Sequence, residues 1–233
     1  MIPNFMNFVN ITTVPKKGSR LKPRNERGIC WVPIARYILM RIIYDMKYPT
    51  IDRNMSDCQM GARKRKGCKN NIFIINGIIH EALKSKRMKT EQLQIYDYQQ
   101  MFDSIDLEQA LSDIYDVGVN DDTFSLLYQA NKEINMAVKT PNGLTDRQIV
   151  KNIVLQGDTW GSILASNQVD SIGKECLAAG HSYLYKNKLP VGFRGLVDDV
   201  IRITEAGIDA VKMNAFLNVK SAEKNTAVWA HKM

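Results

Sequence analysis

The sequence predicts a mixed α/β fold, on three observations. Short β-branched, partly alternating runs recur along the chain, helical apolar spacings lie between them, and there are no internal repeats or low-complexity tracts. With 233 residues, 45% of them hydrophobic, the chain can bury a core as one large domain or as two lobes sharing a boundary.

Residues 5–14 are β-branched and partly alternating, which predicts a strand running into the basic turn Pro15-Lys16-Lys17-Gly18-Ser19-Arg20, a place for a nucleotide-facing loop. Residues 33–44 have helical spacing, with Ile34, Ile38 and Ile42 on one face. Asn70 can cap a second helix, along which Ile72, Ile75, Ile79 and Leu83 form a stripe expected to face the core. The cationic, glycine-flanked residues 59–67 between them are expected to form a loop. Residues 93–96 predict a short apolar strand closing on Asp97, followed by helices over 107–115 and 123–130. Strand character at 134–138 and 148–155 flanks the turn signal Pro141-Asn142-Gly143, the pattern of a hairpin or long loop. A helix is expected over 162–178, then an apolar strand pair over 195–203 interrupted by two acids, then a helix over 209–216.

No stretch of about 18 uninterrupted apolar residues occurs, so a membrane span is not expected. The first 13 residues carry neither the basic start nor the small-residue cleavage pattern of a secretory signal. Cys30, Cys58, Cys68 and Cys176 are irregularly spaced and fit reduced thiols in an intracellular protein. Charge is divided unevenly. Residues 1–90 hold 19 lysines and arginines against 5 acids, and residues 91–233 hold 13 against 19. A basic half favours a polyanion through phosphate contacts and counterion release, or is simply a solvated surface; an acidic half needs cations, protons or solvent to offset its carboxylates.

The most informative short run is Leu196-Val197-Asp198-Asp199-Val200-Ile201, two adjacent carboxylates inside a strand-forming apolar stretch. Buried in a strand, such acids cost several kcal/mol each unless paired or bound to metal, whereas a tight turn keeps them wet. Either a metal-holding turn or an ordinary exposed β-turn accounts for them. Asp97 has the same context at the end of its own apolar strand.

Asp97 through Ser104, an aspartate followed six positions later by the acid of a Phe-Asp pair, resembles the first palm motif of reverse transcriptases of the non-LTR (LINE-type) retrotransposons. Asp198-Asp199 resembles the second aspartate motif, and Gln156-Gly157-Asp158 matches the Gln-Gly-Asp motif between the two. Outside these, Pro15-Lys16-Lys17-Gly18 with Asn25-Glu26-Arg27-Gly28-Ile29 looks like the first fingers segments. Gln59-Met60-Gly61-Ala62-Arg63 resembles the next block, Asn70-Asn71-Ile72 the helix start after it, and Leu217-Asn218-Val219-Lys220 the motif beyond the palm. The resemblance covers nearly the whole chain.

It implies an α+β right-hand polymerase, with an antiparallel palm sheet backed by helices and a basic fingers lobe. Residues 1–90 would be mainly fingers, 91–220 palm with interleaved fingers elements, and 221–233 a truncated tail, without the thumb. The implied activity is RNA-directed DNA synthesis, in which a DNA primer on an RNA template is extended with deoxynucleoside triphosphates. Hard divalent cations prefer carboxylates, so Asp97 and Asp198, supported by Asp199, would hold Mg²⁺, with Mn²⁺ as a substitute. The Tyr98 carbonyl is a further candidate ligand. Lys17 and Arg27 would meet the triphosphate, Arg bidentately and Lys as a point charge. Gln156 and Gly157 would lie beside the nucleotide sugar and base, and Lys220 near the nucleotide or primer end. Arg63, Lys64, Arg65 and Lys66 would contact the template backbone or form a solvated turn. Trp160 would stack on a base or pack on the helix that follows. Leu196, where the family has an aromatic residue, and Met101, where it has alanine, depart from the pattern without removing a carboxylate. The alternative from another class is a catalytically inactive retroelement fragment that binds nucleic acid.

Overall fold

Alternating apolar residues, helix caps and a few buried polar contacts build the chain into two compact units. The computed structural model describes residues 2–16, 25–84, 91–98, 101–180, 184–185, 189–205, 208–224 and 228–231. A single 3₁₀ turn (Asn4–Asn7) leads into β1 (Phe8–Pro15), β2 (Glu26–Trp31), α1 (Ile34–Asn54), α2 (Cys68–Lys84), β3 (Glu91–Tyr98), α3 (Met101–Ser104), α4 (Leu107–Asp116) and α5 (Asp122–Lys132). There follow β4 (Glu133–Thr140), β5 (Gly143–Leu144), β6 (Gln148–Lys151), α6 (Gly161–Ala178), β7 (Leu184–Tyr185), β8 (Leu189–Pro190), β9 (Phe193–Leu196), β10 (Asp199–Glu205), α7 (Ile208–Glu223) and β11 (Val228–His231). One unit comprises Met1–Ile51 and Asp106–Leu164, the other Asp52–Ile105 and Ala165–Met233, so each takes residues from both sides of Thr90.

In the first unit the sheet runs in the order β2-β1-β4-β5, with β6 also on β4. β1 is antiparallel to β2 and parallel to β4. Val9, Ile134, Met136 and Leu155 form the buried cluster under this sheet, joined by Ile11 and Cys30. Each such side chain contributes about 1.5–3 kcal/mol when removed from water. Asp106 caps α4 by accepting from the Gln109 N–H at 3.1 Å, and Asp121 caps α5 through the Thr123 N–H at 3.0 Å. The caps satisfy backbone donors that the first helical turn leaves open. Leu107, Leu111, Ile114 and Leu127 are then fully buried. The hairpin after β4 turns at Pro141-Asn142-Gly143, where Gly143 takes a φ of +118°.

The second unit is built on an antiparallel sheet in the order β11-β3-β10-β9. Ile78, Val191 and Ile203 form one buried cluster, with Ile74, Leu93 and Tyr185 against it. Val169, Ile172 and Cys176 of α6 are also fully buried. The four cysteines are free thiols. Among the described residues no helix is long and apolar enough to cross a membrane.

The α1 face expected from spacing forms, and the α2 stripe expected to face the core is only partly buried. On α1, Ile34, Ile38 and Ile42 do share a face, but that face is exposed, and Arg36, Met40, Ile43, Tyr48 and Ile51 are buried. On α2, Ile72, Ile79 and Leu83 are exposed, and the buried line is Asn71, Ile75, Ile78 and Ala82. Apolar residues nearly encircle these helices, so periodicity does not select the inner face. Single polar contacts help select it: Asn71 Nδ2 donates to the Gly195 carbonyl at 3.0 Å, and Arg36 lies at the centre of a buried network.

Candidate functional site

In the second unit, β9 and β10 form a tight hairpin with Leu196 opposite Asp199, leaving Val197 and Asp198 as the two turn residues. Val197 has a φ of +61°. Two-residue hairpins favour positive φ at the first turn position, where glycine is the usual occupant, and a β-branched side chain there is strained. Asp198 is half-buried and Asp199 exposed, so the turn keeps both acids near water. On the far side of β10, Asp199 pairs directly with Asp97 of β3. Directly opposed residues of antiparallel strands have Cα atoms about 4.5–5.5 Å apart. Backbone register therefore brings Asp97, Asp198 and Asp199 to one end of this sheet. The Asp97 side chain lies outside the described residues, and no group of three His, Cys, Asp or Glu suited to a metal occurs among those described. The donor set on this backbone, carboxylates only, suits a hard divalent cation.

The basic residues 63–66 divide into two kinds. Arg63, only 7% exposed, donates from Nε to Asp52 Oδ1 at 2.6 Å, from Nη2 to the Asp52 carbonyl at 2.7 Å, and from Nη1 to the Ser56 and Gln59 carbonyls. This corrects the expectation of a template contact, because the guanidinium is buried and its fork holds backbone. Lys66 donates to Asp57 at 2.8 Å, and that hydrogen bond holds the Asp57 carboxyl below its usual range. Lys64 and Arg65 are exposed, the latter in a turn with φ +63°. Lys220 is engaged by two carboxylates at the surface. Its ammonium donates to Glu223 at 2.8 Å and pairs with Glu175 at 3.0 Å; these two carboxylates, Glu223 first, raise its pKa and offset the charge assigned to nucleotide or primer.

In the first unit, the segment Gln156-Gly157-Asp158 is tied to β2 and to α1. The Gln156 carbonyl accepts from the Cys30 N–H at 2.9 Å. Gly157 has a φ of +112°, and a Cβ there would lie 2.7 Å from the Cys30 carbonyl oxygen, so this position requires glycine for a backbone contact. Asp158 is buried and accepts from Arg36 Nη2 at 2.8 Å and Nε at 3.2 Å, and from its neighbour Thr159 N–H at 2.7 Å. Arg36 is fully buried and also donates to Asn131 Oδ1, Asn7 Oδ1 and the Ala130 carbonyl. The aspartate of this motif is thus an anchor that fixes the residues before it, leaving Gln156 half-buried and Gly157 exposed. Arg36 was not legible as its partner, because 122 residues separate the two in sequence. Trp160 is buried, donates from Nε1 to the Met40 carbonyl at 3.0 Å and meets Tyr44 edge-on at 5.6 Å, which favours packing over base stacking. Arg27 is exposed on β2, opposite Val14. Lys17 lies outside the described residues.

No protein-family profile matches the sequence, and no curated protein sequence matches it. Solved structures do match the fold. The chain is similar to apo telomerase from Candida tropicalis, with a TM-score of 0.70 and 10% identity over 97% of this chain and 45% of that one. It is also similar to the C. tropicalis enzyme truncated from its C-terminal domain, with a TM-score of 0.66 and 14% identity over 100% and 52%. A third match is telomerase from Candida albicans in complex with a fragment of telomeric RNA, with a TM-score of 0.60 and 12% identity over 100% and 43%. The chain spans about half the length of these proteins or less. Its fold is similar to that of part of these telomerase chains.

Proposed function

We propose that this chain is the fingers and palm of an RNA-directed DNA polymerase of the non-LTR retrotransposon type, adding deoxynucleotides to a DNA primer on an RNA template. One observation carries the proposal: the register that sets Asp97 opposite Asp199, with Asp198 in the adjoining turn, on a fold similar to that of part of a telomerase chain. Asp97 and Asp198 would hold two Mg²⁺ ions, with Asp199 in support. Metal bound there would stabilise the attacking and leaving oxygens of an in-line phosphoryl transfer.

The remaining roles belong to the chain's own residues. Arg27, exposed on its strand, and Lys17 offer cations for the triphosphate. Gln156 offers an amide to the nucleotide sugar and base beside the flat surface of Gly157, and Asp158 with Arg36 keeps that segment in place. Lys64 and Arg65 are the template-backbone candidates of the basic loop. Arg63 is withdrawn from the binding set because buried protein groups already hold it, whereas Lys220, in an exposed pair with Glu175 and Glu223, stays a candidate for the nucleotide or primer end.

Primer extension on an RNA template with Mg²⁺ or Mn²⁺ tests the proposal. Wild type should incorporate nucleotides, and Asp198→Ala should lower the rate by at least about a hundredfold, the order of effect expected when electrostatic stabilisation of the transition state is lost. Equal incorporation by the two proteins overturns the polymerase reading. The exposed Lys64 and Arg65 favour a second reading, a catalytically inactive retroelement fragment that binds nucleic acid. Salt-sensitive RNA binding without metal-dependent incorporation would select it.

A further inference from the structure

Gln59 is fully buried, yet its amide meets four backbone groups. Oε1 accepts from the Gly61 N–H at 2.7 Å and from the Val197 N–H at 3.1 Å. Nε2 donates to the Val197 carbonyl at 3.2 Å and to the Ser166 carbonyl at 3.3 Å. Two donors face the oxygen and two acceptors face the nitrogen, so only one orientation of the amide satisfies all four.

The contacts fall on the strained residue of the aspartate turn. Gln59 holds both the N–H and the carbonyl of Val197, which fixes the peptides on either side of the +61° φ. A β-branched residue keeps such a conformation only where its surroundings enforce it. Gly61 braces the same residue, since a Cβ there would lie 2.1 Å from the Val197 nitrogen. The clamp is itself anchored. Met60 N–H donates to the Gly195 carbonyl at 2.9 Å, Gly195 N–H donates to the Cys58 carbonyl at 2.8 Å, and Arg63 donates to the Gln59 carbonyl at 3.1 Å. A neutral amide supplies both donor and acceptor without adding a charge beside Asp198 and Asp199.

We infer that Gln59 is a positioning residue whose amide holds Val197 in the left-handed conformation and thereby sets where the next residue, Asp198, places its carboxylate; what that carboxylate does rests on the polymerase reading. The test compares wild type, Gln59→Met, Val197→Gly and the double variant by amide hydrogen exchange and by Mn²⁺ binding, with Asp198→Ala as the binding reference. Gln59→Met should speed exchange of the Val197 and Gly61 amides by about tenfold or more and weaken Mn²⁺ binding by about tenfold, the scale of one lost hydrogen bond. Glycine at 197 accepts positive φ without the Cβ penalty. The double variant should therefore recover Mn²⁺ binding to within about threefold of wild type while the Gly61 amide stays fast, a separation that general loss of structure would not give.

Unchanged exchange in Gln59→Met overturns the clamp, and faster exchange with unchanged Mn²⁺ affinity overturns the positioning role. A double variant that stays weak overturns backbone strain as the link between them. Wild type that binds no Mn²⁺ through Asp198 overturns the polymerase reading and the metal-positioning role together, while the exchange measurement still decides the clamp. Should Gln59→Met not fold, Val197→Gly alone decides the strain argument. Its Tm should rise by about 2–4 °C, and a fall would overturn that argument.

Discussion

At Asp158 the anchor is an ion pair buried inside the first unit, and at Val197 it is a neutral amide buried inside the second. Both hold a short turn carrying candidate chemistry, and both reach it from a segment distant in sequence. The neighbours explain the difference. Asp158 is itself the anchoring group, so an arginine opposite it can neutralise it and use its remaining donors on Asn131, Asn7 and the Ala130 carbonyl. At Val197 the neighbours are the candidate metal ligands Asp198 and Asp199, and a neutral amide adds no cation beside those carboxylates. A charged group anchors the buried acid, and a neutral group anchors the residue beside the candidate acids.

Removing the charged anchor should have the largest effect. Arg36→Met leaves Asp158 buried without its partner and should destabilise the protein by about 3–5 kcal/mol, measured by denaturant unfolding. An effect below 1 kcal/mol would mean that the ion pair is not what holds Gln156 and Gly157. Next is Gly61→Ala, whose Cβ must displace the Val197 backbone. It should cost about 1–3 kcal/mol by overpacking and also weaken Mn²⁺ binding, whereas an equal loss of stability with full metal affinity would separate the brace from the aspartates. Phe73→Ser, on the face of α2 that is 81% exposed at this residue, should change stability by no more than about 0.5 kcal/mol.

The smallest effect belongs to an exposed ion pair, which marks the lower end of the same scale. Hydrogen bonds from Lys47, and then from Thr123, lower the Asp121 carboxyl to about 2. Because the folded value is depressed, the associated stability is present above the unfolded value near 4 and is lost as pH falls through about 2. An NMR titration of Lys47→Ala should move the Asp121 midpoint upward with little change in Tm. A large fall in Tm would show that exposure is not what makes this pair weak.

Asp97 and Asp198-Asp199 stood out in the sequence as acids set against apolar strands, and Gln156-Gly157-Asp158 only through the family resemblance. The strands expected over 5–14 and 93–96 form over 8–15 and 91–98, residues 4–7 making a 3₁₀ turn instead, and the expected turn at Pro141-Asn142-Gly143 forms. Which faces of α1 and α2 become buried was not legible, since Ile34 and Ile72 resemble core residues as closely as Ile43 and Ile75 do. Nor were the partners of Arg63 and Lys220, whose identity as cations says nothing about which acceptor they reach.

By itself the sequence determined where the candidate carboxylates lie along the chain and which short segments become strands, helices and turns, because those depend on neighbours within a few residues. Tertiary structure alone decided that Asp97 lies opposite Asp199, that Arg36 neutralises Asp158 and that Gln59 holds Val197. Each of these pairs joins residues about 100 or more positions apart, and their proximity is set by strand register and by which helix face becomes buried, not by any local preference.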